Sequence, residues 1–159
     1  VYSTDRMVSE YADRFYLPAM RNFRRLSASG FGKARELAAW LGRVSAAFTR
    51  VSVGDLSIAG GIAEAAVGSE VEIKASVRLG ALSPSDVSAE AWYGPRDSQG
   101  NIRDGKSVPL TPVATEGEAT IYAGRLACST TGRHGFGVRI IPVHPGRTRR
   151  FEPGLIAWA

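Results

Sequence analysis

One stretch, Glu70–Gly80 (EVEIKASVRLG), constrains the fold more than any other. Val71, Ile73, Ala75, Val77 and Leu79 fall on one side of an extended chain. Glu70, Glu72, Lys74, Ser76 and Arg78 fall on the other. Strict alternation of this kind marks a strand with one buried and one wet face. A slip of one residue would carry the charges into the core, so the register is specified by the side chains themselves. The stretch predicts the centre of an antiparallel β-domain.

A helical segment precedes it. Ser3 and Thr4 are good N-caps and Asp5 suits the positive end of a helix. Met7, Val8, Tyr11, Ala12 and Phe15 then recur at helical spacing. The pattern predicts a helix from Asp5 to Tyr16, a kink at Pro18 and a continuation toward Leu26. Ser27–Gly32 (SASGFG) reads as a loop. Lys33–Phe48 reads as a second helix with Leu37, Trp40, Leu41, Val44 and Phe48 on one face. A short loop between two helices predicts an antiparallel helical hairpin over residues 1–50.

The texture becomes β after Arg50. Arg50–Ser57, Ser69–Gly80, Val87–Tyr93, Lys106–Ala114, Ala119–Cys128, His134–His144 and Gly154–Ala159 read as strands. Ile58–Gly68 is left as a loop. Leu82–Val87 turns on Pro84 and Asp86, and Glu116–Glu118 makes a hairpin turn. Pro109 and Pro112 predict an edge strand. Short strands with regular turns predict an immunoglobulin-like antiparallel β-sandwich over residues 51–159. The single cysteine, Cys128, rules out the inter-sheet disulfide of antibody domains.

The residues do not compose a catalytic site. His134 and His144 are the only histidines, and no carboxylate or cysteine cluster stands at ligand spacing, so no metal site is expected. Cys128 has no partner base and the serines lack a G-x-S-x-G elbow. The net charge of +5 comes from scattered arginines, which argues against nucleic acid as partner. No apolar run reaches the length of a membrane span, and one cysteine suits a reducing, cytoplasmic setting. Four residues remain as candidates for carbohydrate or partner contact. Trp92 is predicted on the outer face of its strand, because Tyr93 alternates with Val87, Ala89 and Ala91. Arg147, Arg149 and Arg150 make a local basic patch.

The N-terminal run Tyr2–Ala12 (YSTDRMVSEYA) resembles the stretch near the C-terminal end of α-glucan (glycogen and maltodextrin) phosphorylases. There a Ser/Asp/Arg cap opens a helix that continues with an apolar pair and Glu-Tyr. Phe15–Ala19 (FYLPA) is similar to a bacterial and archaeal branch in which an extra β-domain follows the catalytic part. Leu79–Pro84, Trp92–Pro95, Gly132–Phe136 and Phe151–Leu155 also resemble that extension.

The resemblance implies a C-terminal accessory segment. Its parent would phosphorolyse α-1,4-glucan to glucose 1-phosphate, using pyridoxal phosphate on a lysine. Lys33, Lys74 and Lys106 stand in other contexts, so no catalytic or cofactor residue carries over and the segment alone is expected to be inactive. The implied partners are the upstream catalytic domains, α-glucan, and a second copy joined through the N-terminal helices, whose stripe the hairpin alone does not cover. Two rival readings are a stand-alone sandwich that binds carbohydrate or protein and a basic binder of nucleic acid.

Overall fold

The computed structural model describes residues 3–59, 65–147, 150–151 and 154–159. The protein is mainly antiparallel β, preceded by an N-terminal helical segment. The chain divides into two compact units. One holds Val1–Arg43 with His144–Arg149, and the other holds Val44–Val143 with Arg150–Ala159.

In the helical unit, α1 (Thr4–Tyr11) runs into a π-helical turn over Ala12–Tyr16, and α2 follows from Leu17 to Ala47. The amide of Leu17 donates to the carbonyl of Ala12 across that wide turn. The chain therefore stays helical through Pro18, where a kink was expected. The missing proline N–H falls where the ordinary ladder is already interrupted. The expected loop is a break in α2 at Ala28–Phe31. Ala28 is extended, and Ser29, Gly30 and Phe31 all have positive φ. The Arg35 guanidinium donates back to the Gly30 carbonyl and ties the break to the helix beyond it. Met7, Tyr11 and Phe15 remain 53%, 51% and 54% exposed, and Leu41 is exposed too. Residues 144–147 cross this unit. Arg25 donates to the carbonyls of Pro145 and Gly146, and Trp40 stacks on His144 with ring centroids 4.8 Å apart.

The β unit begins with the last turn of α2, where Val44 is fully buried, and a 3-10 turn at Phe48–Arg50. Seven strands follow: β1 (Ser52–Ile58), β2 (Glu70–Arg78), β3 (Val87–Pro95), β4 (Lys106–Glu116), β5 (Ala119–Ala127), β6 (His134–Pro142) and β7 (Ala157–Trp158). They hydrogen-bond in the order β1-β2-β5-β4-β3-β6-β7, and every pairing is antiparallel. The expected loop at Ile58–Gly68 lies partly outside the described residues, at 60–64.

The alternation of β2 is realised. Ile73, Ala75 and Val77 are buried, while Glu70, Lys74 and Arg78 reach water. Ile73, Ala75 and Val77 share the buried interior with Ala89 and Ala91 of β3, Leu110 of β4, Tyr122 of β5, and Val138 and Ile140 of β6. The turn before β3 is closed by a capping box. The Asp86 carboxylate accepts from the Ser83 amide at 3.0 Å and from the Ser83 hydroxyl at 2.8 Å, while the Asp86 amide donates to the Ser83 carbonyl. Gly117 opens the two-residue β4–β5 hairpin at φ 58°, a position that suits glycine.

The expected edge strand is a correction. β4 is the central strand in the order, not an edge. Lys106–Leu110 pair with β3 and Thr111–Glu116 pair with β5, with a bulge between Pro112 and Ala114. Each half of β4 is bonded on one side only, which is the local condition proline needs. The edges are β1 and β7.

Tyr122 is 2% exposed, and its hydroxyl finds no hydrogen-bond partner among the described residues. Burial pushes its pKa above the ordinary value of 10.0. An unmade buried hydrogen bond is costly, so Tyr122→Phe is expected to stabilise the protein by about 1 kcal/mol at neutral pH. The raised pKa means that the unfolded chain ionises first as pH rises. Wild-type stability therefore falls above about pH 10, and the variant lacks this loss. Urea melts of both proteins at neutral and alkaline pH check the prediction, and a destabilised Phe variant would contradict it.

Candidate functional site

The chemically richest cluster lies on the solvent-side face of the sheet portion formed by β3, β6 and β7. On β3, Val87, Ala89 and Ala91 face the core, so Ser88, Glu90 and Trp92 face away from it. Glu90 should then be wet, yet it is 1% exposed. Cationic and aromatic side chains cover it instead of solvent. The register sets Glu90 directly opposite Arg139 of β6, and Arg139 opposite Trp158 of β7.

The Glu90 carboxylate is extensively bonded. Its Oε2 accepts from Arg139 Nε at 3.1 Å, from Arg139 Nη2 at 3.0 Å and from the Ser107 hydroxyl at 2.7 Å. Arg150 Nη2 reaches Oε1 from the other side. A buried carboxylate is tolerable only with such pairing. The Arg139 guanidinium is itself ringed by aromatic faces. Its central carbon lies 5.3 Å from the Trp92 ring centre, 5.3 Å from that of Phe151 and 5.5 Å from that of Trp158, within cation–π range. One glycine makes room for a ring: a Cβ at Gly105 would clash with the Trp92 indole, whereas one at Gly137 would meet Trp158 only at ordinary contact distance.

A second feature lies at the β3–β4 and β5–β6 loops. A groove of about 350 Å³ is lined by Arg96, Gly100, Ile102, His134, Gly135 and Phe136. His134 does not offer a free base there. Its Nδ1 donates to the Gly132 carbonyl at 3.1 Å, and its Nε2 shares a hydrogen bond with Thr130 Oγ1 at 2.9 Å. The neighbouring turn is tied by Asp97. The amide of Asn101, the Arg103 guanidinium and the amide of Gln99 hold its carboxyl below the usual range. These contacts serve loop geometry. Among the described residues no group of three His, Cys, Asp or Glu side chains is placed to hold a metal, and no helix is long and apolar enough to cross a membrane.

A protein-family model described as the glycogen phosphorylase C-terminal domain matches residues 49–159, which are most of the chain and all of its strands. The chain belongs to the glycogen phosphorylase C-terminal domain family. Similarity extends beyond the matched span into the helices. A glycogen phosphorylase of Mycobacterium bovis is 32% identical over 97% of this chain, and one of Mycobacterium tuberculosis is 31% identical over 97%. A maltodextrin phosphorylase of Thermococcus litoralis is 30% identical over 99%. The chain spans 18% of the length of each of these relatives.

Within this family member, the residues singled out from sequence are separated by the fold. Trp92 lies on the outward face as expected, but it is half-buried between Gly105 and Arg139. Tyr93 is half-buried at the end of β3 rather than in the core. Arg147 belongs to the helical unit, where its guanidinium carbon lies 5.9 Å from the Trp40 ring centre. Arg150 belongs to the β unit and pairs with Glu90. Arg149 lies outside the described residues. Glu90 and Arg139 were missed, because each looks like an ordinary wet-face charge. The available signal was their pairing across β3 and β6, which becomes visible only once the register is known.

Removing the carboxylate leaves two guanidinium groups facing each other with the neutralising charge gone. Glu90→Ala is expected to cost about 3 kcal/mol or more. Arg150→Ala, at a half-exposed position, should cost under about 1 kcal/mol. Denaturant melts measure both. A Glu90→Ala protein as stable as wild type would refute this account of the cluster.

Proposed function

We propose that this chain is the non-catalytic C-terminal accessory part of an α-glucan phosphorylase. In this reading the whole protein cleaves α-1,4-glucan with phosphate, releases glucose 1-phosphate, and works in the cytoplasm. The family match over residues 49–159, together with similarity to phosphorylases that are several times longer, carries the reading. Residues 1–50 are then the helical end of the catalytic region and residues 51–159 the accessory domain. The strand order supports an immunoglobulin-like assignment for that domain. One set, β1-β2-β5-β4, and another, β4-β3-β6-β7, correspond to the two layers of such a sandwich, with the central strand shared.

Pyridoxal phosphate is the cofactor we propose for the parent, and this segment does not fit it. A Schiff-base lysine is activated by desolvation or by a neighbouring cation. Lys33, Lys74 and Lys106 are all exposed, and Lys74 lies beside Glu72. The cofactor lysine is therefore assigned to the upstream part. The expected result is that the protein extended through its upstream reading frame forms glucose 1-phosphate from maltodextrin and phosphate, while this chain alone does not. Glucose 1-phosphate formation by the chain alone would overturn the assignment, as would an inactive full-length protein that is correctly folded.

The exposed stripe of Met7, Tyr11 and Phe15 supports a second part of the proposal. In the parent this face packs on the catalytic region, and in the isolated chain it drives self-association into a twofold dimer. Sedimentation of the native chain should show a dimer that Tyr11→Glu with Phe15→Glu converts to monomer. A native chain that stays monomeric at high concentration would refute this.

A further inference from the structure

We propose that the groove beside Arg96 and His134 binds a small organic phosphate, with the Arg96 guanidinium gripping the phosphoryl group. The inference stands apart from the phosphorylase reading, which enters only in the choice of one probe.

Arg96 directly follows β3, and its amide donates to the Arg133 carbonyl at 2.9 Å. Two glycines seat its side chain. A Cβ at Gly135 would lie 2.8 Å from Arg96 Cδ and 3.0 Å from Cγ, and one at Gly100 would lie 2.8 Å from Nη2. The stem therefore rests on bare backbone at the start of β6, and the head on bare backbone of the β3–β4 loop. Nε donates to the Gly100 carbonyl at 2.9 Å. The two Nη groups have no hydrogen-bond or ion-pair partner among the described residues. Arg139 and Arg103 differ in this respect, since Glu90 answers the first and Asp97 the second. A seated guanidinium with its terminal donors unanswered is a fork for an oxyanion, because phosphate matches it in both charge and geometry.

The surroundings select an anion with an organic body. Asp97 is spent on Arg103 and on the amides of Gln99 and Asn101. Asp104 borders a smaller hollow that also reaches His134, and no carboxylate lines the groove itself. His134 has both ring nitrogens engaged, so it serves as a wall and not as a base. The field inside the groove is thus that of an uncompensated cation. The volume of about 350 Å³ falls in the range of small-molecule sites and exceeds what a bare phosphate ion fills. Ile102 and Phe136 give the rest of the molecule an apolar wall.

The test is titration calorimetry on the chain at low salt, with phenyl phosphate, glucose 1-phosphate and inorganic phosphate as probes. At least one organic phosphate should bind saturably at one site per chain, and more tightly than inorganic phosphate. Arg96→Ala, at an exposed position, should keep the native thermal transition and weaken binding about tenfold or more. Arg96→Lys should recover only part of that loss, since it keeps the charge without the fork. Gly135→Ala retains every charge but displaces the Arg96 stem, and should also weaken binding. Arg78→Ala removes the same charge from the exposed face of β2 and should change nothing. The proposal is overturned if neither organic phosphate binds saturably, or if Arg96→Ala binds as well as wild type. Equal losses in Arg96→Ala and Arg78→Ala would overturn it too, by showing diffuse attraction to a basic chain. Inorganic phosphate binding as tightly as the esters would overturn the assignment of an organic ligand. Glucose 1-phosphate formation by the full-length protein is a separate assay. An active full-length enzyme whose C-terminal chain ignores all three probes would refute the groove and leave the phosphorylase reading intact.

Discussion

The β unit depends on one strand changing partners part-way along its length. The first half of β4 completes the ladder beside β3, and the second half completes the ladder beside β5. Without that exchange the four strands β1, β2, β5 and β4 would have no bonded connection to β3, β6 and β7. Backbone groups dictate how the exchange is made. Every buried N–H and C=O needs a partner, so the strand cannot cross from one ladder to the other while fully bonded on both sides. Proline is suited to this crossing because it brings no N–H. Pro109 precedes the transfer and Pro112 marks the bulge that re-aims the strand. The interior built around Ile73, Val77, Tyr122, Val138 and Ile140 is enclosed because β4 serves both sides.

The outward face of β3 and β6 follows a different physics. A carboxylate there could have stayed in water, where it would cost nothing. Instead Glu90 is covered, and its burial is compensated by Arg139, Arg150 and Ser107. Replacing such a cluster with apolar side chains often costs little stability, so stability alone is a weak reason to build one. Its structural effect is orientation. The guanidinium of Arg139 is held by two hydrogen bonds to one oxygen of Glu90, and the three rings are placed around it. The apolar and polar parts of the face thereby share one centre.

Much of the architecture was legible in the sequence because burial imposes periodicity. The alternation of Val71 through Leu79 and the turn chemistry of Ser83–Asp86 gave elements that the structure contains. The misreadings share a cause. Pro109 and Pro112 signal a strand with one open side, but sequence cannot say whether that condition holds for the whole strand or for half of it. Pro18 signals an interrupted ladder, but not that a π-helical turn supplies the interruption. The candidate site was legible only in fragments. Trp92 and Arg150 stood out by residue type. Glu90 and Arg139 are far apart in sequence and acquire meaning from a register that only the paired strands disclose.

The break in α2 sets three successive residues in a left-handed conformation, although only Gly30 is free of a Cβ. Ser29 and Phe31 adopt the same hand at a steric cost, and Phe31 keeps its ring mostly in water. The local backbone would accept glycine at either position more readily. For mutational drift, this makes the turn a site where a more stable sequence is a single substitution away. Phe31 therefore carries a local steric cost that glycine would not have, and the turn has room to drift toward glycine without loss to the fold.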